Sequence, residues 1–105
     1  MLTCIIKYEI DPFKRDKFEE YARRWGQAIP AAGAELIGYF APHEGNTTTA
    51  FGVYNVQSLA DYEAYRARLA ASEAGRDTYA FAKRERFIRR EDRAFYTLAS
   101  GAQSP

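Results

Sequence analysis

The hydrophobic period of this chain switches from two residues to 3.6 and back, and then does so again. Leu2, Cys4, Ile6, Tyr8 and Ile10 point one way, with Thr3, Ile5, Lys7 and Glu9 between them, which is a strand. Asp11-Pro12 then supplies an N-cap and a first helical residue. Phe18, Tyr21, Ala22, Trp25 and Ile29 repeat with helical spacing, until Pro30 kinks or ends the helix and Gly33 serves as its C′ residue. Alternation returns from Glu35 to His43, with Leu36, Gly38 and Phe40 on one face and Ile37, Tyr39, Ala41 and His43 on the other. Glu44-Gly45-Asn46-Thr47 has turn chemistry, and Thr48 to Val56 folds back as the partner strand of a hairpin.

The second half repeats the pattern. Ser58 caps a helix, with Asp61 three residues on, and Leu59, Tyr62, Tyr65 and Leu69 form its apolar stripe. Ser72 to Gly75 interrupts it. A further helical piece from Arg76 to Glu85 buries Tyr79, Phe81 and Ala82, and Arg93 to Leu98 reads as the last strand. The order β-α-β-β-α-β, closed by right-handed crossovers, gives an α+β ferredoxin-like sandwich: a four-stranded antiparallel sheet with helices on one face. One domain is expected over residues 1–99, with a flexible tail over 100–105. Gly38 and Gly52 lie inside strands, where glycine marks a bulge or a close backbone approach.

Two helices cover only one sheet face. Four strands of about seven residues leave some 440 Å² open on the other, near the upper range tolerated by a soluble monomer. Aromatic residues make up 15% of the chain, more ring surface than a small core hides, so a second packing surface or a pocket is expected. The formal charge of +1 is too small for a general phosphate-backbone binder. The mixed-sign run from Lys83 to Arg93 reads as a solvated helix end rather than a nucleic-acid site. The sole cysteine, Cys4, sits in an apolar strand as an inert thiol. No apolar run reaches the length of a membrane span and no signal peptide is recognisable, so a cytoplasmic protein without membrane insertion is expected.

Candidate chemistry falls on the strand faces. Lys7, Glu9, Glu35, Tyr39, His43 and Arg93 occupy the alternates opposite the more apolar ones. With Ile5, Ile37 and Phe95 they would line one side of the sheet as a pocket for a small apolar or aromatic ligand. Tyr54 joins them if strand three shares the parity. The alternative is that Lys7, Glu9 and Arg93 form ion pairs across a dimer interface. His43, the only histidine, is the best catalytic candidate, as a general base, proton shuttle or haem ligand; equally, it would fix the hairpin by bonding the turn backbone. One His and one Cys do not make a zinc site, and no residue pattern requires a cofactor.

Several segments together resemble the NIPSNAP family: Tyr8-Glu9-Ile10, Trp25-Gly26, Gly33 through Phe40, Pro42-His43-Glu44-Gly45, Tyr62-Glu63-Ala64-Tyr65-Arg66 and Phe87-Ile88-Arg89-Arg90-Glu91. The resemblance spans nearly the whole chain and is most specific from Gly38 through Asn46 and in the Tyr-Glu-Ala-Tyr-Arg segment. It implies the dimeric α+β barrel superfamily, in which two ferredoxin-like subunits pair their open sheet faces as a homodimer. It implies no catalytic constellation. Related barrels include cofactor-free monooxygenases and haem-handling enzymes, so a binding or interaction module and an enzyme acting in the barrel cavity both stay open, with haem as the cofactor to test.

Overall fold

The computed structural model describes residues 1–101. Four strands form one antiparallel sheet: β1 (Leu2–Ile10), β2 (Glu35–Phe40), β3 (Thr49–Val56) and β4 (Ile88–Tyr96), in the spatial order β2-β3-β1-β4. Three helices pack on one face: α1 (Arg15–Ala31), α2 (Leu59–Ala71) and α3 (Glu73–Glu85). This is the ferredoxin-like architecture read from the alternation of periods. No helix among the described residues is long and apolar enough to cross a membrane. The tail expected over 100–105 extends past the described residues.

The core lies between β1 and the helices. Cys4, Ile6, Tyr8 and Ile10 of β1 are buried under Phe18, Tyr21, Trp25 and Ile29 of α1, with Tyr65 and Leu69 of α2 and Phe81 of α3. Asp11 opens a single 3-10 turn, Pro12–Lys14, its carboxylate accepting from the Phe13 N–H at 2.9 Å. Pro30 sits in the last turn of α1 without breaking it. The chain leaves that helix through Gly33 at φ +102°, and the Arg68 guanidinium donates to the Ala32 carbonyl at 2.7 Å.

Several boundaries differ from those read in the sequence. β2 ends at Phe40, because residues 41–48 form a loop rather than a strand extension. Asn46 closes that loop by accepting from the N–H groups of Thr48 (2.7 Å) and Thr49 (2.9 Å), while Arg15 donates to the Pro42 carbonyl. The interruption expected over Ser72 to Gly75 is a single residue. Ser72 Oγ donates to the Leu69 carbonyl (2.8 Å) and accepts from the Gly75 N–H (2.9 Å), so one side chain ends α2 and starts α3. The basic run is not one solvated helix end: α3 stops at Glu85, Arg86 turns the chain at φ 54°, and β4 begins at Ile88, ahead of the expected Arg93.

These caps make a graded stability prediction. Ser58 Oγ accepts from the Asp61 N–H at 3.1 Å at the start of α2, so Ser58→Ala should cost about 1 kcal/mol. A β-carbon at Gly75 would sit 2.0 Å from the Leu69 carbonyl oxygen, so Gly75→Ala must push α2 and α3 apart. It should cost about 1–3 kcal/mol. Chemical denaturation of both variants should rank Gly75→Ala as the more damaging.

Candidate functional site

Register decides which side chains meet. In β1 and β3 the pairs Cys4–Tyr54, Ile6–Gly52 and Tyr8–Ala50 share the helix face, while Ile5–Val53 and Lys7–Phe51 share the open face. β4 pairs so that Ile6 opposes Arg93, Tyr8 opposes Glu91 and Cys4 opposes Phe95. Arg93 and Phe95 therefore stand on the helix face, against the expected open one. In β2 the register shifts between Leu36 and Gly38. Ile37 is the extra residue of a bulge, and beyond it Tyr39 opposes Gly52 on the helix face. The interior glycines thus serve as read: Gly38 adjoins the bulge, and the Tyr39 ring crosses Gly52 so closely that a β-carbon there would meet it at 2.7 Å.

The seven candidate residues divide accordingly. Tyr39, Tyr54 and Arg93 come together in a cleft between sheet and helices. Lys7 and Glu9 stand on the opposite face, beside an ion pair between Arg90 and Asp92 at 3.0 Å. Glu35, also on that face, accepts from Asn55 at 2.8 Å. His43 is exposed on the 41–48 loop and lines no part of the cleft. Sequence parity places these residues on one surface because it assumes an unbroken β2 and an alternation in β4. The charged β4 sequence carries no alternating apolar signal to set its facing.

The cleft leaves about 30 Å³ free, room for one or two water molecules. Tyr8, Tyr39 and Tyr54 form its floor, Tyr21, Trp25, Ile29, Tyr65 and Leu69 its roof, and Arg66, Tyr79, Glu91 and Arg93 complete the lining. Rings meet edge to face: Tyr8 with Tyr21 at 5.9 Å, Tyr21 with Trp25 at 5.7 Å, Trp25 with Tyr79 at 5.0 Å. The Tyr8 and Tyr39 hydroxyls lie 3.4 Å apart, a long contact. Trp25, Tyr21, Tyr65, Arg66 and Tyr79 are the lining residues that strand alternation does not reveal. Their signal is the aromatic excess on the helices, which by spacing reads as core.

Burial holds these phenols neutral. It pushes Tyr21 up to about 12, and raises Tyr8, Tyr39, Tyr54 and Tyr65 as well, the last four helped by neighbouring phenols or, for Tyr54, by the Cys4 thiol. The Cys4 thiol is itself raised by burial, against the pull of Tyr54 and Arg93. Near neutral pH the phenols are therefore hydrogen-bond donors and acceptors, not bases. Glu91 is engaged by Arg93 at 3.1 Å. The indole Nε1–H of Trp25 is buried without a hydrogen-bond partner; it lowers the Tyr21 phenol from nearby, but the pair does not reach hydrogen-bond geometry. Among the described residues no cluster of His, Cys, Asp and Glu is arranged to hold a metal.

A family model described as NIPSNAP matches residues 3–103. A protein from Agrobacterium tumefaciens superposes with a TM-score of 0.81 at 20% identity, covering 94% of both chains. A NIPSNAP family protein of the same organism gives 0.75 at 25% identity, covering 97% of this chain and 98% of its own. A putative antibiotic biosynthesis monooxygenase from Nitrosomonas europaea gives 0.71 at 13% identity, covering 95% of this chain and all of its own, a likeness of fold alone. No curated protein matches the chain.

The buried phenols predict the alkaline limit of the fold. An unfolded tyrosine releases its proton near its ordinary value of 10, while the folded chain holds these protons to higher pH. Stability is therefore full below about pH 10 and falls as pH rises through the folded values. Tyr21 alone accounts for a loss of about 2 kcal/mol by pH 12. Circular dichroism and tyrosinate absorbance, tracked together, should show one cooperative alkaline transition above pH 10 rather than independent phenol titrations.

Proposed function

The chain belongs to the NIPSNAP family, and from that premise we propose that it is a small-molecule-binding module whose ligand enters the tyrosine-walled cleft between sheet and helices. The observation that carries this reading is the Trp25 N–H, a buried donor left open in an aromatic wall. An unmade buried hydrogen bond costs about 1–3 kcal/mol, and a ligand acceptor would recover it. The cleft leaves about 30 Å³ free, room for one or two water molecules, so a ring enters only as the side chains at its edge move apart.

The fold shared with two structures named as antibiotic biosynthesis monooxygenases, one of them putative, supports a second reading in which the cleft is a reaction chamber. The lining favours binding over catalysis, because its phenols are held protonated and its one carboxylate is paired. Haem does not fit this cleft. Its tyrosine rings pack against one another and leave room for one or two water molecules, not for a macrocycle. Titration with a panel of one- and two-ring aromatic compounds, monitored by Trp25 fluorescence and melting temperature, tests the proposal. Saturable quenching with a rise in melting temperature is expected. A panel without one binder overturns it, and oxygen uptake with a binding compound would shift the reading to catalysis.

We also propose that the protein acts as a homodimer through the open sheet face. Ile5, Val53 and Phe51 stand at its centre, flanked by Phe40 and Tyr96, each about half exposed. Ile37, on the bulge, and Tyr39 and Phe95, on the helix face, are not among them. Charged residues, Glu9, Arg90 and Asp92, lie toward one end. An apolar centre with a polar rim is interface anatomy. Val53→Asp would bury an unpaired carboxylate in each copy and should yield monomers or unfolded chain in sedimentation. A wild type that sediments as a folded monomer at tens of micromolar, an order set by micromolar affinity, would refute the dimer.

A further inference from the structure

One end of the sheet gathers the connections that the cleft does not use. β1 and β2 finish there, and β3 and β4 begin. The connections are tied to one another. The Ile10 N–H donates to the Thr48 carbonyl at 2.7 Å and the Asp11 N–H to the Phe87 carbonyl at 2.8 Å. Lys14 Nζ donates to the Glu85 carbonyl at 2.7 Å, and Arg15 to the Pro42 carbonyl. Residues 11–17, 41–48 and 83–90 therefore form one continuous end of the molecule. They carry eight Lys and Arg against four Asp and Glu, whereas the rest of the chain carries seven against ten. A nearly neutral chain thus has a positive end.

The cations there are poorly compensated. Lys17 and Arg84 share one carboxylate, that of Glu85, at 3.7 and 3.2 Å. Arg89 meets Asp11 only at 3.8 Å, and Lys83 and Arg86 make no ion pair among the described residues. Arg86 is also the one non-glycine residue held at positive φ among the described residues, at 54°. Glycine takes that conformation without the penalty a side chain carries, yet an exposed arginine stands there. Beside this turn Phe13 is 92% exposed. Its N–H is held by the Asp11 carboxylate at 2.9 Å, so the ring projects from a fixed turn into solvent.

The geometry points to this end as a docking surface for an anionic lipid bilayer. Phe13 enters the headgroup region, and Lys83, Arg84, Arg86 and Arg89 face the lipid phosphates and carboxylates. An apolar ring among cations matches both layers of such a surface, which attracts Lys and Arg by its potential and takes up aromatic rings just beneath it. The chain lies on the bilayer by this contact and does not span it. A protein partner would call for an apolar centre of several residues, and a nucleic acid for several rings on which bases stack. A single projecting ring supplies neither. One ring and a few cations give weak, reversible attachment, in keeping with the modest charge of the end as a whole. The surface is separate from the cleft and from the open sheet face.

The test is sedimentation of the full chain with vesicles of phosphatidylcholine alone and of phosphatidylcholine mixed with phosphatidylserine. Binding is expected to the mixed vesicles only, and it should fall as salt rises, because exposed charges are screened. Phe13→Ser should weaken it about tenfold, part of the transfer of one ring out of water, with the melting temperature unchanged. Arg86→Gly should weaken it about fivefold, the scale of one cation near a charged surface. The same variant should hold or raise the melting temperature, since glycine adopts φ 54° freely, so lost binding and lost folding separate. A wild type that stays in solution with both vesicles overturns the proposal, as does equal binding to phosphatidylcholine alone. Binding that Phe13→Ser leaves intact, or a duplex DNA that strips the protein from the vesicles and binds that variant equally well, reduces the end to a general polyanion contact and overturns the lipid assignment.

Discussion

The close approach of the Tyr39 ring to Gly52 holds the site together. Tyr39 reaches the helix face only because the bulge at Ile37 adds one residue to β2 and reverses the parity of the residues beyond it. It stays there only because Gly52 has no side chain, since a β-carbon would stand 2.7 Å from the ring. From that position Tyr39 packs on Tyr8, Phe18 and Tyr21 and completes the floor of the cleft. An unbroken β2 would turn the same ring to the open face and leave a hole beside Tyr8.

The cleft arises from an imbalance in the two layers. α1 packs on β2 and α3, and α2 reaches β3, but β4 stays exposed from Arg89 to Ala94. Its helix-facing residues there, Glu91 and Arg93, are charged and keep their ends wet. The aromatic interior therefore opens to solvent at one edge, between β4 and the helices, with cations at the lip. The phenols inside are driven upward in pKa by the same burial that makes the walls apolar, so the interior is polar in hydrogen bonding but uncharged near neutral pH.

The two sheet faces serve different purposes. The helix face carries the core and the cleft. The open face carries Ile5, Val53 and Phe51 between polar ends, where Thr3 donates to Asn55 at 2.7 Å and Asn55 to Glu35 at 2.8 Å. Lys7 and Glu9 belong to this second surface. Grouping them with Tyr39 and Arg93 mixes residues from opposite sides of one sheet.

Composition and period determined the element order, the ferredoxin-like topology, the extent of β1 and the face that α1 buries, because each rests on local alternation or on capping chemistry within a few residues. Even the two interior glycines were legible as backbone features. Tertiary structure alone decided the facing of Tyr39, Arg93 and Phe95. A single inserted residue reverses a strand's parity, and an edge strand with charges on both faces records no preference until it pairs with β1. It also decided that His43 stands outside the cleft, since the strand that would have carried it inward stops at Phe40. The helix tyrosines and Trp25 looked like ordinary core by spacing. Whether such a stripe packs solid or walls a cleft depends on how completely the opposite layer covers it, which no local stretch of sequence records.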